Sequence, residues 1–178
     1  RFMFARGEGL AWRRLRIAML LILAAHAAAP RATFAGDSLV VFTVGSDADD
    51  ADAVPGDGRC RTASGTCTLR AALEEAGVAP SSKEHQIRLI AGQTYRITRA
   101  DAASLASDIG ATGLPPIRSA VTIAGSGATI AAVQREQTDD SFRLLLVETG
   151  ATLRLENLTL TGGVASDVSA KGGGIFNR

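Results

Sequence analysis

The residues best suited to chemistry in this chain are the carboxylates of one acidic loop. Aspartates crowd the segment from Gly45 to Gly58, and the candidate calcium ligands among them are Asp47, Asp49, Asp52 and Asp57. Closely spaced carboxylates coordinate calcium in extracellular proteins. This loop, however, lacks the central glycine and the distant bidentate glutamate of an EF-hand. We therefore expect a solvated acidic loop, with calcium binding as the alternative, and no other metal or cofactor.

No catalytic motif accompanies these carboxylates. The sequence contains no nucleophile elbow, phosphate loop, HExxH zinc motif or paired-carboxylate signature. His85 lies in a polar segment before a predicted strand, and a lone surface histidine is rarely a catalytic base. The sequence therefore predicts no catalytic residue and no cofactor-binding residue in this chain.

A leader for export is predicted at the start of the sequence. Trp12-Arg13-Arg14-Leu15-Arg16 is positively charged, Ile17 to Ala25 is apolar, and Ala25-His26-Ala27 or Thr33-Phe34-Ala35 offers a cleavage site. The apolar run is too short to cross a bilayer, which takes about 20 apolar residues. We expect residues 1–35 to be a signal peptide of the general secretory route, cleaved between about 27 and 35, after which no membrane contact remains. An uncleaved membrane anchor is the alternative.

The only two cysteines, Cys60 and Cys67, flank the turn signal Ser64-Gly65. In an exported protein, two cysteines this close together favour a local disulfide. A zinc site would need four ligands, and His26 and His85 are badly placed to complete one. We therefore predict a disulfide between Cys60 and Cys67.

A short amphipathic helix is predicted from about Thr68 to Gly77. Four apolar residues recur at helical spacing on one face: Leu69, Ala72, Leu73 and Ala76. Arg70 and Glu74 lie four residues apart on the opposite face, where we expect a solvated pair. A single helix of this kind ahead of many strands would cover the first exposed edge of a stacked sheet.

The segment around the two cysteines resembles a known family motif. Pro55-Gly56-Asp57-Gly58-Arg59-Cys60 followed by Cys67-Thr68-Leu69-Arg70-Ala71-Ala72-Leu73-Glu74-Glu75-Ala76 is similar to the CSLREA region at the N-terminus of secreted bacterial β-helix proteins. Thr68 stands where that motif has Ser, and Ala71 stands where it has Glu. The resemblance implies a signal peptide, this cap and then a pectate-lyase-like superhelix over about residues 39–178, with no activity assigned to most members.

Strands are predicted by alternating apolar residues, beginning with Leu39 to Val44 and continuing from Gln86 onward. The alternating pairs are Ile87 and Leu89, Tyr95 and Ile97, Val121 and Ile123, Leu153 and Leu155, and Leu158 and Leu160. The alternation breaks at Glu156-Asn157. Asparagine tolerates the left-handed backbone conformation, so we predict a corner at Asn157.

A weak repeat predicts how these strands stack. Gly127-Ala128-Thr129-Ile130 recurs 23 residues later as Gly150-Ala151-Thr152-Leu153 and, in decayed form, as Gly173-Gly174-Ile175-Phe176. The predicted fold class is all-β, a right-handed parallel β-helix in which the last residues of these segments lie one above another. A β-sandwich is the alternative, with Gly125-Ser126-Gly127 as its best hairpin turn. Residues 100–116 and 134–141 are predicted to be protruding loops.

The predicted organisation is a signal peptide over residues 1–35, an N-terminal cap with the disulfide and helix over 36–85, and the first turns of a β-helix over 86–178. The run from Ala170 to Arg178 reads like the start of another turn, so we expect a fragment with an incomplete C-terminal end.

The net charge differs between the leader and the rest of the chain. The whole chain has a formal charge of +1, and residues 1–35 contain six Arg and one Glu. The remaining residues therefore carry a net charge of about −4. A mildly acidic body is a poor partner for nucleic acid.

These expectations favour a bacterial protein that is secreted or held at the cell surface, with a structural or adhesive role. Its expected partner is an extracellular polysaccharide or a component of a host or cell surface. The alternative is a polysaccharide lyase or glycoside hydrolase of β-helix fold, whose active site would lie downstream of these residues.

Overall fold

The computed structural model describes residues 38–78, 83–102, 104, 110–132, 141–165 and 172–178, all within the unit Asp37–Arg178. The predicted signal peptide lies outside the described residues, as do residues 134–140 of the second predicted loop. Seven strands and one helix occur in the described part. They are β1 (Val40–Thr43), α1 (Leu69–Val78), β2 (Glu84–Arg88), β3 (Thr94–Ile97), β4 (Ala120–Ala132), β5 (Leu145–Val147), β6 (Thr152–Thr161) and β7 (Ile175–Asn177).

The sheet is built around β4, which pairs with β2, β3 and β6. β1 pairs with β2, and β5 pairs with β7 in a second sheet. Isolated bridges also join Thr112 to Arg143 and Ile117 to Val147. Every pairing among these seven strands is parallel, and parallel neighbours need long crossover connections instead of tight hairpins. The mostly-β parallel architecture predicted from the sequence is therefore confirmed.

Side chains that point inward stand in register across the sheet. Phe42, Ile87, Ile123 and Leu155 occupy successive positions on β1, β2, β4 and β6. The first three are buried in the core, and Leu155 is partly buried. The alternation predicted from the sequence therefore identified the inward face correctly, because side chains of a strand point to opposite faces with a period of two.

Helix α1 covers one end of this core with its apolar face. The four predicted residues, Leu69, Ala72, Leu73 and Ala76, are all buried. The helix begins after Thr68, whose hydroxyl oxygen accepts a hydrogen bond of 3.0 Å from the Ala71 amide. Threonine is among the residues that favour this N-terminal capping position, because its hydroxyl accepts a hydrogen bond from an amide in the first turn.

The predicted 23-residue stacking is wrong. Ile130 pairs with Leu160 and Leu153 pairs with Val121, so Ile130 and Leu153 do not lie one above the other. Phe176 lies in the second sheet, on β7. Residues paired on neighbouring strands are 30 to 45 positions apart in sequence, from 160−130=30 for Ile130 and Leu160 to 87−42=45 for Phe42 and Ile87. The register follows the inward apolar side chains, whereas the short Gly-Ala-Thr match reflects residue types that are common in this chain.

The corner at Asn157 is confirmed, and the hairpin at Gly125-Ser126-Gly127 is not found. Asn157 has a φ of 48°, and Ser126, in the neighbouring strand, has a φ of 47°. Both β4 and β6 pass through this corner and continue as strands on its far side. The Gly125-Ser126-Gly127 segment bends β4 here, and a β-bulge in the pairing with β6 accommodates it.

The first predicted loop spans residues 100–116, and its second part, residues 110–116, is hydrogen-bonded to the segment before β5. The Gly113 amide donates a hydrogen bond of 2.6 Å to the Arg143 carbonyl, and the Leu114 amide donates one of 3.1 Å to the Leu144 carbonyl. Leu114 itself is fully buried. The prediction of a protrusion was wrong for residues 110–116, because a segment rich in Gly and Pro can still supply backbone bonds to a neighbouring strand.

Gly125 is required at the corner by close packing. A β-carbon at this position would overlap the β-carbon of Leu158 and the carbonyl oxygen of Asn157. We predict that Gly125→Ala lowers the free energy of unfolding by about 1–3 kcal/mol, as overpacking does in well-packed interiors. Gly45→Ala is the matched control, because its added β-carbon meets no atom within 4 Å. Urea unfolding of both variants tests this, and equal effects would contradict the packing at the corner.

Candidate functional site

The acidic loop over residues 45–58, here called the cap loop, lies against α1 and the disulfide segment. Its four candidate calcium ligands bind separate protein groups. The Asp47 carboxylate accepts a hydrogen bond of 2.7 Å from the side-chain amide of Gln93. The Asp57 carboxylate accepts one of 2.8 Å from the backbone amide of Arg59. Asp52 accepts from the Val54 and Arg61 amides at 2.8 and 2.9 Å, one on each carboxylate oxygen, and Asp49 is bound to Arg70.

These carboxylates do not converge on a common point. No group of three or more His, Cys, Asp or Glu side chains within the described ranges could hold a metal ion. Each carboxylate also has the backbone or side-chain donors described above, and a bound cation would compete with them. The main chemical role of this arrangement is to provide hydrogen-bond acceptors for the backbone amides of a loop that has little regular structure.

Arg70 is the buried centre of the cap. It is only 1% exposed, and its Nε and Nη2 atoms each lie 2.8 Å from Oδ1 of Asp49. Nη2 also donates to the Arg99 carbonyl at 3.2 Å, and Nη1 lies 4.0 Å from Oδ1 of Asp101. Asp49 in turn accepts from the amide of Thr98 at 2.9 Å. One guanidinium therefore joins the helix, the cap loop and the segment after β3.

The predicted solvated pair of Arg70 and Glu74 is consequently wrong. The cap loop folds over the helix face that was expected to meet water. Glu74 is half-buried and accepts a hydrogen bond of 2.6 Å from the Asp52 amide. Burial raises the pKa of Glu74 above its ordinary value, against the opposing effects of the Asp52 amide and the Arg70 charge.

Glu75 holds the other end of the cap loop. It is 3% exposed, and its two carboxylate oxygens accept from the amides of Gly56 and Gly58 at 2.6 and 2.5 Å. Both glycines have a positive φ, and the loop presents the amides of these two alternate residues to one carboxylate. Glu74 and Glu75 together bind three loop amides from adjacent helix positions.

The disulfide between Cys60 and Cys67 is confirmed. The turn that it closes carries three hydroxyls in mutual contact, with Thr62 Oγ1 at 2.9 Å from Ser64 Oγ and at 3.1 Å from Thr66 Oγ1. An open depression of about 420 Å³ lies between this turn and the cap loop, lined in part by Asp50, Thr62 and Ser64. A ligand there would meet hydroxyls and a single exposed carboxylate.

His85 is buried, contrary to the expectation of a surface position. It lies on β2 with 2% exposure, and its ring stacks on Phe42 with centroids 6.0 Å apart. Nδ1 is 3.4 Å from the hydroxyl of Ser119, which donates to the Ala76 carbonyl at 3.1 Å. Burial lowers the pKa of His85, and Lys83 lowers it further, while Glu75 and the Ala120 backbone act in the opposite direction. Both His85 and Ser119 are buried, although His85 lines a small pocket of about 130 Å³ together with Glu75 and Lys83.

Sequence reasoning missed Arg70, Glu75 and His85. A signal for Glu75 was present in the Gly56-Asp57-Gly58 segment, whose amides need acceptors if the loop is covered. A signal for Arg70 was the row of aspartates in the same loop, because a buried carboxylate needs a cationic partner. The signal for His85 was its place in strand alternation with Ile87, which puts both side chains on the inward face.

Loss of the Arg70 guanidinium should destabilise the cap strongly. Removing one partner of a buried ion pair costs roughly 3–5 kcal/mol, whereas an exposed pair contributes about 0–1 kcal/mol. We expect Arg70→Met to lower the free energy of unfolding by roughly 3–5 kcal/mol. We expect Arg154→Met to lower it by about 0–1 kcal/mol, because the ion pair of Arg154 with Glu156 is exposed. Urea unfolding measures both, and Arg70→Met/Asp49→Asn should recover part of the loss. Equal effects of the two single variants would contradict a structural role for Arg70.

Acidification should destabilise the fold through His85. A histidine whose pKa is lowered in the folded state contributes stability above its unfolded pKa of about 6.5, and this stability is lost as the pH falls below that value. The raised pKa of Glu74 acts in the opposite direction, so the background variant is Glu74→Gln. In the Glu74→Gln variant, we expect the free energy of unfolding to decrease as the pH is lowered from about 7.5 to about 5.5. The decrease should be smaller in the Glu74→Gln/His85→Phe double variant. An unchanged pH dependence would contradict burial of His85.

No protein-family model, curated protein or solved structure matches this chain. No helix in the described residues is long and apolar enough to cross a membrane. What this chain does must therefore be argued from its own residues.

Proposed function

We propose that this chain belongs to a secreted or cell-surface protein built on a right-handed parallel β-helix, with a structural or adhesive role. The observation that carries the proposal is the in-register parallel pairing of β1, β2, β4 and β6, covered at one end by α1. A stack with one covered end is the arrangement expected of the capped start of a solenoid.

The order of the strands along the chain supports the solenoid. The first pass runs through β2, β3 and then Ile117. The second pass runs through the two halves of β4 and then through β5. The third pass runs through the two halves of β6 and then through β7. Each position pairs in parallel with its counterpart in the next pass. A chain that forms the same three strand positions repeatedly in the same order is expected to wind as a solenoid of strands. Parallel crossover connections are right-handed in nearly all known cases.

Three features support export. The leader expected in residues 1–35, the disulfide between Cys60 and Cys67, and the resemblance to the CSLREA region all point to an oxidising compartment outside the cytosol. The cap described above gives that resemblance a physical meaning. Thr68 caps the helix and Arg70 is buried against Asp49, so two residues of the resembling segment help to hold the cap of this chain.

The scaffold role is supported by how the polar groups are used. In the cap, the carboxylates of Asp49, Asp52, Glu74 and Glu75 bind backbone amides or a buried arginine. The hydroxyls of Thr62 and Ser64 can exchange hydrogen bonds with a neutral polysaccharide, whereas the exposed carboxylate of Asp50 would repel an acidic one. The depression beside Thr62 and Ser64 is where we propose that such contact occurs.

Expression in a bacterium with the leader intact tests the export half of the proposal. We expect the protein outside the cytoplasm, with a new N-terminus between about residues 27 and 35 and no reactive thiol until it is reduced. Protein that stays in the cytosol with an intact leader and two free thiols would contradict export.

A panel of acidic and neutral polysaccharides tests the role. A scaffold retains at least one of them in a pull-down and leaves its chain length unchanged, whereas a lyase or hydrolase shortens it. Size-exclusion chromatography of the polysaccharide distinguishes the two outcomes. Shortening would favour the enzyme alternative, and retention of no polysaccharide would remove the adhesive role for this class of ligand.

A further inference from the structure

A small pocket is lined by residues of α1, the cap loop, β1 and the start of β2. It has a volume of about 130 Å³. The charged or polar side chains that line it are those of Glu75, Lys83 and His85. Pockets that bind drug-sized molecules commonly measure about 300–1,000 Å³, so this one admits only a small ligand.

Two opposite charges face this pocket without pairing with each other. Glu75 is 3% exposed, and its carboxylate accepts from the amides of Gly56 and Gly58. Neither Glu75 nor the half-buried Lys83 forms an ion pair within the described part of the chain. A charge that is removed from water without an oppositely charged partner is unfavourable. Each of the two charges is therefore available to one end of a ligand.

Glu75 keeps its capacity to accept in spite of its two amide bonds. An ionised carboxylate has about four lone-pair sites, and Gly56 and Gly58 occupy one on each oxygen. The Lys83 ammonium is a donor with no acceptor atom of its own. The two groups can therefore hydrogen-bond to a ligand as well as attract its charges.

His85 is the third polar group of the pocket and adds no charge. Burial lowers its pKa and the Lys83 charge lowers it further, against the opposing effects of Glu75 and the Ala120 backbone. The buried ring is therefore uncharged at neutral pH. A neutral imidazole has one donor nitrogen and one acceptor nitrogen, so it can hydrogen-bond to either end of a ligand.

The apolar side chains of the pocket come from β1 and α1. They are Val40 and Phe42 on β1 and Val78 on α1. Contact with such side chains favours a ligand that carries a small hydrocarbon group beside its charges.

The two charges together discriminate among small ions. A simple anion would be attracted by Lys83 but repelled by Glu75, and for a simple cation the two effects are reversed. A zwitterion can place each of its charges beside the opposite one and avoid both repulsions. The smallest α-amino acids carry an ammonium and a carboxylate on the same carbon, with at most a methyl group beside them.

We propose that this pocket binds a small zwitterionic α-amino acid, glycine or alanine. The carboxylate of the ligand pairs with Lys83, its ammonium pairs with Glu75, and its hydrocarbon part packs against Val40 and Phe42. His85 hydrogen-bonds to one of the two charged ends. The inference rests on the described pocket and not on the proposed export or adhesive role.

Nuclear magnetic resonance of the His85 ring is the first test. The chain contains two histidines, and the His85→Phe variant identifies which ring signal belongs to His85. We expect that signal to shift, and the shift to saturate, when L-alanine is added to the full chain at neutral pH. Glycine should have the same effect.

Three further probes test the nature of the ligand. Acetate has only the negative charge and methylammonium only the positive one, so each should bind at least about tenfold more weakly than alanine, since a charged hydrogen bond is lost. L-Phenylalanine has both charges but too large a side chain, and it should cause no shift. Equal binding of acetate would indicate an anion site, and equal binding of methylammonium a cation site. Either result would overturn the proposal, and so would the absence of a shift with every probe.

A charge-removing variant tests the role of Lys83. Lys83→Met removes the ammonium and keeps much of the aliphatic stem, so the affinity for alanine should fall at least about tenfold. Arg88→Met is the matched control, because it removes one positive charge from an exposed position of β2 that does not line the pocket. It should change the affinity by less than about twofold. Equal affinities of the Lys83→Met variant and the unaltered chain would overturn the proposal.

The probe series needs no substitution, so it decides the proposal even if Lys83→Met is unstable. Neither experiment depends on secretion or on polysaccharide. The amino-acid site can therefore fail while the proposed function stands, and the reverse.

Discussion

The parallel hydrogen-bonded register through β4 is the constraint on which the rest of this structure depends. β4 is bonded to β2 and β3 on one side and to β6 on the other, so a single strand fixes the position of three others. Because side chains alternate with a period of two, a shift of one residue in any of these pairings would turn its apolar side chains from the core to water. The core, the corner at Asn157 and the position of the cap all follow from that register.

Helix α1 and the cap loop cover one end of the core, beside Phe42 and Val44. An uncovered end exposes both apolar side chains and unpaired backbone groups. Helix α1 covers the apolar side chains, and its polar face binds a loop whose amides would otherwise lack acceptors. Arg70 and Glu75 are buried in this arrangement, which makes the charged residues of the helix structural. The aspartates that first suggested a metal site therefore contribute to holding the cap in place.

Local pattern predicted the elements well, because each depends on neighbours in sequence. The strand faces, the helix face, the disulfide and the left-handed corner at Asn157 were all readable from spacing and residue type. The stacking register was not, since it depends on contacts between segments 30 to 45 residues apart in sequence, and a four-residue match carries too little information to fix it. The burial of Arg70 was missed for the same reason, because the Asp49 carboxylate that covers it lies 21 residues away in sequence. The burial of His85 was readable from its alternation with Ile87 and was missed because the polar residues before it suggested a surface segment.

Backbone nuclear Overhauser effects from the centre of β4 test the register most directly. The parallel register predicts contacts between the backbone at Ile123 and the backbone at both Ile87 and Leu155, in the pattern of parallel strands. Contacts that instead join Ile130 to Leu153, or close contacts between α-protons of directly opposed residues as in antiparallel strands, would contradict it.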